Sequence, residues 1–415
     1  MRSLRFIHSA DLHLDSPFKG KSYLPDELKE QLRASTFEAY ERLINQAIHH
    51  QVDFVLIVGD LFNEEMRSLK AQVKLREGFQ RLEHYGIQVY VSYGNHDYIR
   101  GVHYPISYPS NVHIFKDEEV RSLPFYRDDR LIANIYGFSY EQRSVTENKA
   151  QLYNKQGEAD YHIAMLHGSL ETAQASHDVY APFTMADLVR KSMDYWALGH
   201  IHKRQQLSDL PPVIYPGNIQ GRSSKENEAK GCYLVEWKGD QFVPYFLPLH
   251  SFIYENVEQI CKNLKHPEDL EALLEEAKQS IICDSPILLT ITLKGDQGLL
   301  EKWKYEGVLK QWVEIVNERE NIDQEWIWID QVFIEDQPSW NESELKASAH
   351  FTGEVLRNFD NLSNDDIQDY MAPLYKHRRA SKHLNDFSDT EQQEIMESAK
   401  SLVIQQLLKG KEVDS

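Results

Sequence analysis

At 415 residues, with 41% hydrophobic, 27% charged and 11% aromatic residues, the chain is too long for one ordinary domain and too apolar for wholesale disorder. It contains no run of about 18 apolar residues, which excludes a membrane-spanning helix, and its N-terminus lacks the apolar core of a signal peptide. A net charge of −20 argues against polyanion binding through a broadly basic surface, but leaves room for local cationic sites and bound metals.

In chain order, strands are expected at residues 4–8, 54–58, 89–93, 132–138, 162–166 and 195–198. Helical spacing of Phe37, Tyr40, Ile44, Ala47 and Ile48 predicts a helix over 26–51, and a second fits 69–84, ended by Tyr85-Gly86. Alternating strands and helices imply an α/β layered domain, closed by late antiparallel strands at 213–215, 231–237 and 242–247. From about His250 the pattern changes. Strands at 286–293 and 325–335 accompany helices at 267–279 and 307–317, as in a smaller α+β domain. From Ser339 the chain turns polar and helical. Ser339 with Glu342 and Ser388 with Glu391 fit capping boxes, and Ile395, Ala399, Leu402, Val403 and Leu407 form an apolar stripe expected to pack within the chain or on a partner. The expected domains are therefore 1–250, 251–338 and 339–415. Cys232, Cys261 and Cys283 lack metal-type spacing and read as small reduced core residues, so a cytoplasmic protein is expected.

Five short motifs end apolar runs: Asp11-Leu12-His13, Gly59-Asp60, Gly94-Asn95-His96-Asp97, His167-Gly168 and Gly199-His200-Ile201-His202. In an extended segment, the spacing of two puts Asp11 and His13 on one side. Strand ends in an open α/β sheet converge on one crevice, where such folds bind ligands. Taken singly, each motif reads as an ordinary turn, loop start or surface histidine. Together they supply imidazoles, carboxylates and an amide oxygen suited to Mn, Fe or Zn, and a carboxylate shared by two ions could hold them about 3.5–4 Å apart.

These motifs, in this order over residues 1–250, resemble the calcineurin-like metallophosphoesterase superfamily. Within it, FIHSADLHLDSPF, VGDLF and YWALGHIHKRQ are similar to SbcD-type DNA-repair nucleases and their YhaO-like branch. The resemblance implies the metallophosphoesterase fold, a four-layer sandwich of two mixed β-sheets flanked by helices, with a smaller α+β capping domain and a helical C-terminal tail. It implies that Asp11, His13, Asp60 and His202 hold one divalent ion, and Asn95, His167 and His200, with Asp60 as bridge, the other; Mn²⁺ is expected, with Fe and Zn as alternatives. His96 would protonate the leaving oxygen and Asp97 would orient His96. A bridging water ionised by the two metals would attack phosphorus.

The expected function is hydrolysis of DNA phosphodiester bonds from ends, in DNA repair. Alternatives are a phosphatase or phosphodiesterase for small or protein substrates, and a non-catalytic scaffold. The resemblance also implies a homodimer working with an SMC-like ATPase of the SbcC type. Lys203, Arg204 and Arg222 are candidate phosphate contacts beside the metals, as solvated loop charges otherwise. Asn63 departs from the His or Asp that often follows GDLF, which puts the steering of the substrate strand in question. The basic run 375–383 could touch nucleic acid or serve as a solvated linker, and His177 and Asp178 read as structural.

Overall fold

Strand β1 (Arg5–Ala10), helix α1 (Asp26–His49), β2 (Phe54–Val58), α2 (Leu69–His84) and β3 (Gln88–Ser92) follow one another, and β1, β2 and β3 pair in parallel. The computed structural model describes every residue except 1–2, 64–66, 102–105, 172–179, 283, 337–341, 349, 378–388 and 413–415. Strand β2 reads FVLIV with every residue buried, because it is covered on both faces. Its side chains alternate accordingly. Phe54, Leu56 and Val58 point into one core, and Val55 and Ile57 into another, against Tyr40, Leu43, Leu75 and Phe79 of the two helices.

The chain continues through β4 (Val112–Ile114), β5 (Arg121–Arg127), β6 (Arg130–Gly137), β7 (Tyr161–His167), α3 (Met185–Arg190), β8 (Tyr195–Gly199), β9 (Gln205–Asp209), β10 (Pro212–Tyr215), β11 (Gly231–Lys238) and β12 (Gln241–Pro248). One six-stranded sheet has the order β12-β11-β1-β2-β3-β4, the other β5-β6-β7-β8-β10-β9. Each mixes parallel and antiparallel pairs. Phe6, Phe54 and Tyr90 of the first sheet meet Ile135, Ile163 and Tyr195 of the second in the core between the sheets. Ala150, Tyr153 and Leu188 cover the outer face of the second. This is the four-layer sandwich expected from the resemblance.

Strands β5 and β9 were not expected. Both lie at sheet edges and leave all but one side chain exposed or half-buried, and β5 contains Pro124, so neither carries an alternating apolar signal.

Two compact units divide the chain: residues 1–256, 282–290 and 320–330 form one, and 257–281, 291–319 and 331–415 the other. Strands β13 (Ile253–Ile260), β14 (Ile287–Gly295) and β15 (Ile327–Asp336) make a third sheet in that order. The second unit carries α4 (Asp269–Gln279), α5 (Leu299–Tyr305), α6 (Val308–Glu318), α7 (Glu342–Ala347), α8 (Phe351–Asp360), α9 (Asn364–Lys376) and α10 (Asp389–Glu412). Ser339 and Ser388 lie outside the described residues; capping boxes do form at Thr184–Asp187 and Ser363–Asp366. Among the described side chains of α10, Lys400 and Ile404 are buried, four residues apart, whereas Ile395, Leu402 and Val403 of the expected stripe stay exposed. No helix among the described residues is long and apolar enough to cross a membrane.

His8 on β1 is fully enclosed between the sheets. Its Nε2 donates to Leu198 O (3.0 Å) and its Nδ1 accepts from Tyr195 Oη (3.0 Å). Burial lowers its pKa from 6.5 to about 3, despite the carbonyl it donates to. The neutral ring therefore stabilises the fold fully above the unfolded value of 6.5, and that contribution is lost as pH falls toward 3, where only the unfolded chain takes the proton. Metal-free protein should lose urea resistance between pH 7 and pH 5, and His8→Asn should lose less over that interval. An equal loss in both proteins would remove His8 from the account.

Candidate metal centre

Strands β1, β2, β3, β7 and β8 all deliver their C-terminal ends to one side of the sandwich. The backbone then ties these exits together. Asp11 N donates to Gly59 O (3.2 Å), His13 N to Asp60 O (3.0 Å) and Gly168 N to Gly199 O (3.1 Å). Asp11 and His13 were expected to share one side of an extended segment. They do not: their φ angles are 52° and 43°, and Asp60 (49°) and His200 (96°) are likewise left-handed. Such strained backbone is tolerated where surrounding structure enforces it, and it aims both side chains inward from a tight turn. Gly59, with φ 75°, leaves room for an imidazole, since a Cβ there would lie 2.1 Å from His167 Nδ1. A Cβ on Gly94 would lie 2.3 Å from Asp60 Oδ1.

The fold brings Asp11, His13, Asp60, Asn95, His167, His200 and His202 together. Asp11, His13 and His202 offer atoms within 4.8 Å of one another, and so do Asp11, Asp60 and His167. His13 Nε2 faces His202 Nε2 at 3.0 Å. Asn95 Oδ1 lies 3.0 Å from His167 Nε2 and 3.2 Å from His200 Nδ1. Asp11 belongs to both groupings, yet the geometry of a bridge favours Asp60. Its Oδ2 is buried without a hydrogen bond, 3.8 Å from His13 Nε2 and 3.6 Å from His167 Nε2.

The donor set fits divalent cations. His167 Nδ1 donates to Val58 O (3.1 Å) and His202 Nδ1 to a Glu226 carboxylate oxygen (2.8 Å), so in both rings Nε2 presents a lone pair to the cluster. Burial lowers the pKa of His13, His167 and His200, the last to about 3, which keeps these rings neutral and able to ligate. Burial and the Asp60 charge push Asp11 well above its usual range. Burial opposes ionisation of Asp60 too, but His167 and His96 hold it low. Two buried carboxylates and unpaired ring nitrogens are costly without positive charge among them.

His96 Nδ1 donates to Asn63 O (2.9 Å), and its amide donates to Asp60 Oδ1 (2.9 Å). Asp97 was expected to orient the His96 ring. Instead its carboxylate accepts from Leu61 N and Gly94 N, both at 2.7 Å, and so clamps the loops after β2 and β3; Asn63 holds the ring. Burial and Asp60 raise Asp97 to about 7, against the pull of Arg67 and the two amides.

Of the expected phosphate contacts, Lys203 is exposed and the Arg204 guanidinium stacks 3.8 Å from the Phe246 ring centre. Arg222 alone of the three reaches the cluster, donating to Asn63 Oδ1 and standing 3.4 Å from His202 Nδ1. His177, Asp178 and residues 378–383 of the basic run lie outside the described residues.

Glu226 was missed, because no spacing rule links it to a candidate ligand, His202, 24 positions earlier. It accepts from His202 Nδ1, from Arg222 N (2.7 Å) and from Asn218 Nδ2 (2.8 Å). Burial works against its ionisation, but the His202 hydrogen bond and nearby positive charge bring its pKa to about 2. A carboxylate behind a ligating imidazole fixes its tautomer and orientation, and losing it weakens metal binding about 10–100-fold. Glu226→Gln should weaken divalent-cation binding by that factor in calorimetric titration of metal-free protein with Mn²⁺, Fe²⁺ or Zn²⁺. Unchanged binding would exclude this supporting role.

Residues 4–204 match the calcineurin-like phosphoesterase family. The chain is 40% identical over 411 residues to the uncharacterized metallophosphoesterase YhaO of Bacillus subtilis, covering 98% of each protein. It is 25% identical over 264 residues to the DNA double-strand break repair protein Mre11 of Methanopyrus kandleri, covering 58% of this chain and 56% of that one. To the protein of the same name from Methanocaldococcus jannaschii it is 27% identical over 253 residues, covering 57% of this chain and 63% of that one.

Proposed function

The chain belongs to the calcineurin-like phosphoesterase family, and from that premise we propose that it is a two-metal nuclease hydrolysing phosphodiester bonds of DNA, from ends and in DNA repair. The observation that carries the two-metal reading is the buried, unpartnered Asp60 Oδ2, set between an imidazole of each ligand group.

Asp11, His13, Asp60 and His202 would hold one cation, and Asn95, His167 and His200, with Asp60, the other. We assign Mn²⁺; Fe and Zn suit the same donors. Bound there, the two ions would polarise the phosphoryl oxygens and ionise a water near neutral pH. His96 then holds a proton on Nε2 for the departing oxygen, its ring steadied through Nδ1 by Asn63. Asp97 keeps the Asp60 and Asn95 loops in register through its two amide hydrogen bonds.

Relatives named as DNA double-strand break repair proteins support DNA as the substrate. A second copy of the chain and an SMC-like ATPase of the SbcC type, in the cytoplasm, belong to the same proposal; the exposed Ile395, Leu402 and Val403 on α10 suit a protein partner. The net charge of −20 favours a second reading, a phosphatase or phosphodiesterase for smaller or protein substrates. End-labelled single- and double-stranded DNA, bis-p-nitrophenyl phosphate and p-nitrophenyl phosphate, each with Mn²⁺, separate the two. Shortening of DNA from its ends by wild type but not by Asp60→Ala is the expected result. Preference for the monoester would overturn the nuclease reading, and failure to bind Mn²⁺ would favour a scaffold.

A further inference from the structure

One residue after β2 faces two ways. The Asn63 carbonyl accepts from His96 Nδ1, and its side-chain oxygen accepts from Arg222 Nη1. Arg222 arrives from the other side of the cluster, in the loop between β10 and β11, where its amide is held by Glu226. Its guanidinium has few direct partners. Nε is enclosed without a hydrogen bond, and the charges of Glu226, Asp60 and Asp11 act on it without a salt bridge to any described carboxylate. Nη2 stands 3.4 Å from His202 Nδ1, but that nitrogen's proton is directed at Glu226, so the ring offers Arg222 no acceptor. A neutral amide oxygen thus serves a cation with five N–H donors. Beside two divalent cations, a guanidinium with free N–H donors would gain from an anion joining the assembly.

We propose that Arg222 is the phosphate clamp of this site, donating to the non-bridging oxygens of the phosphodiester, and that Asn63 is a positioning residue that holds clamp and His96 in one register. This rests on the phosphoesterase reading above and deepens it by assigning the group that recognises the anion. Asn63→Ala tests the side chain separately, since alanine keeps the carbonyl that steadies His96 and removes only the amide that steadies Arg222.

The experiment uses Mn²⁺-loaded full-length protein. It measures bound metal, calorimetric affinity for inorganic phosphate, and KM and kcat for bis-p-nitrophenyl phosphate. Arg222→Gln should keep two cations while weakening phosphate affinity and raising KM together by about 10–100-fold, the range for a lost hydrogen bond to a charged group. Arg222→Lys should recover part of this. Asn63→Ala should shift both quantities the same way by a smaller factor, and should add nothing when combined with Arg222→Gln. Unchanged phosphate affinity in Arg222→Gln overturns the proposal, and so does loss of a cation, which would make Arg222 a support for His202. Failure of the wild type to hydrolyse the diester would instead count against the phosphoesterase reading, because phosphate affinity is read independently of turnover.

Discussion

Asp60→Ala should lose both cations, not one, and with them at least about a thousand-fold in phosphodiester hydrolysis, since both ions, if bound as proposed, would share in stabilising the phosphoryl group. Asp60 Oδ2 is 3.8 Å from a ring nitrogen of one ligand group and 3.6 Å from a ring nitrogen of the other. No other buried carboxylate oxygen among the described residues lacks a hydrogen bond. Its other oxygen accepts from the His96 amide, so the substitution also loosens the loop after β3. Asp60→Asn separates the two effects, because its amide oxygen can still accept from His96 N while the negative charge is gone. It too should bind fewer than two ions. Metal analysis beside turnover of bis-p-nitrophenyl phosphate checks both variants, and an Asp60→Ala protein that retains two ions would end the bridging assignment.

His96→Ala should leave both cations in place and slow hydrolysis by about 10²–10⁴-fold, the range for a lost general acid. The ring is bonded through Nδ1 to Asn63 O and stands edge-to-face with the His13 ring, without a ring hydrogen bond to a proposed ligand side chain. The loss should depend on the leaving group. With p-nitrophenoxide, which departs without a proton, the variant should come close to wild type; with DNA, whose leaving alkoxide needs one, the full loss should appear. Equal losses on both substrates would assign His96 to positioning, and released metal would make it a ligand.

Much of the fold was legible in the one-dimensional pattern. Strand β2 and helix α2 occupy the residues expected, 54–58 and 69–84, because a short β-branched run and a long amphipathic stretch closed by Tyr85-Gly86 are local signals. The polar edge strands β5 and β9 were not legible, since their order comes from pairing with a neighbour rather than from an apolar face. Nor was the face of α10 that turns inward. Helical spacing identifies apolar positions, but among the described side chains burial went to Lys400, paired with Glu342 and Glu397, and to Ile404.

At the candidate site the same division holds, and it has a physical cause. Residue type and position at strand ends were sufficient to pick out Asp11, His13, Asp60, Asn95, His167, His200 and His202 as side chains that come together, because donor chemistry belongs to the side chain and strand ends belong to the local pattern. Three things depended on tertiary structure: the left-handed turns that aim Asp11 and His13, the Asn63 carbonyl rather than Asp97 behind His96, and Glu226 behind His202. Hydrogen bonds between loops far apart in the chain are set by how two sheets pack, and no spacing along the chain encodes that distance. The cations sorted in the same way: Lys203 and Arg204 follow the last ligand directly yet face solvent and Phe246, while Arg222, reached only through the fold, stands at the cluster.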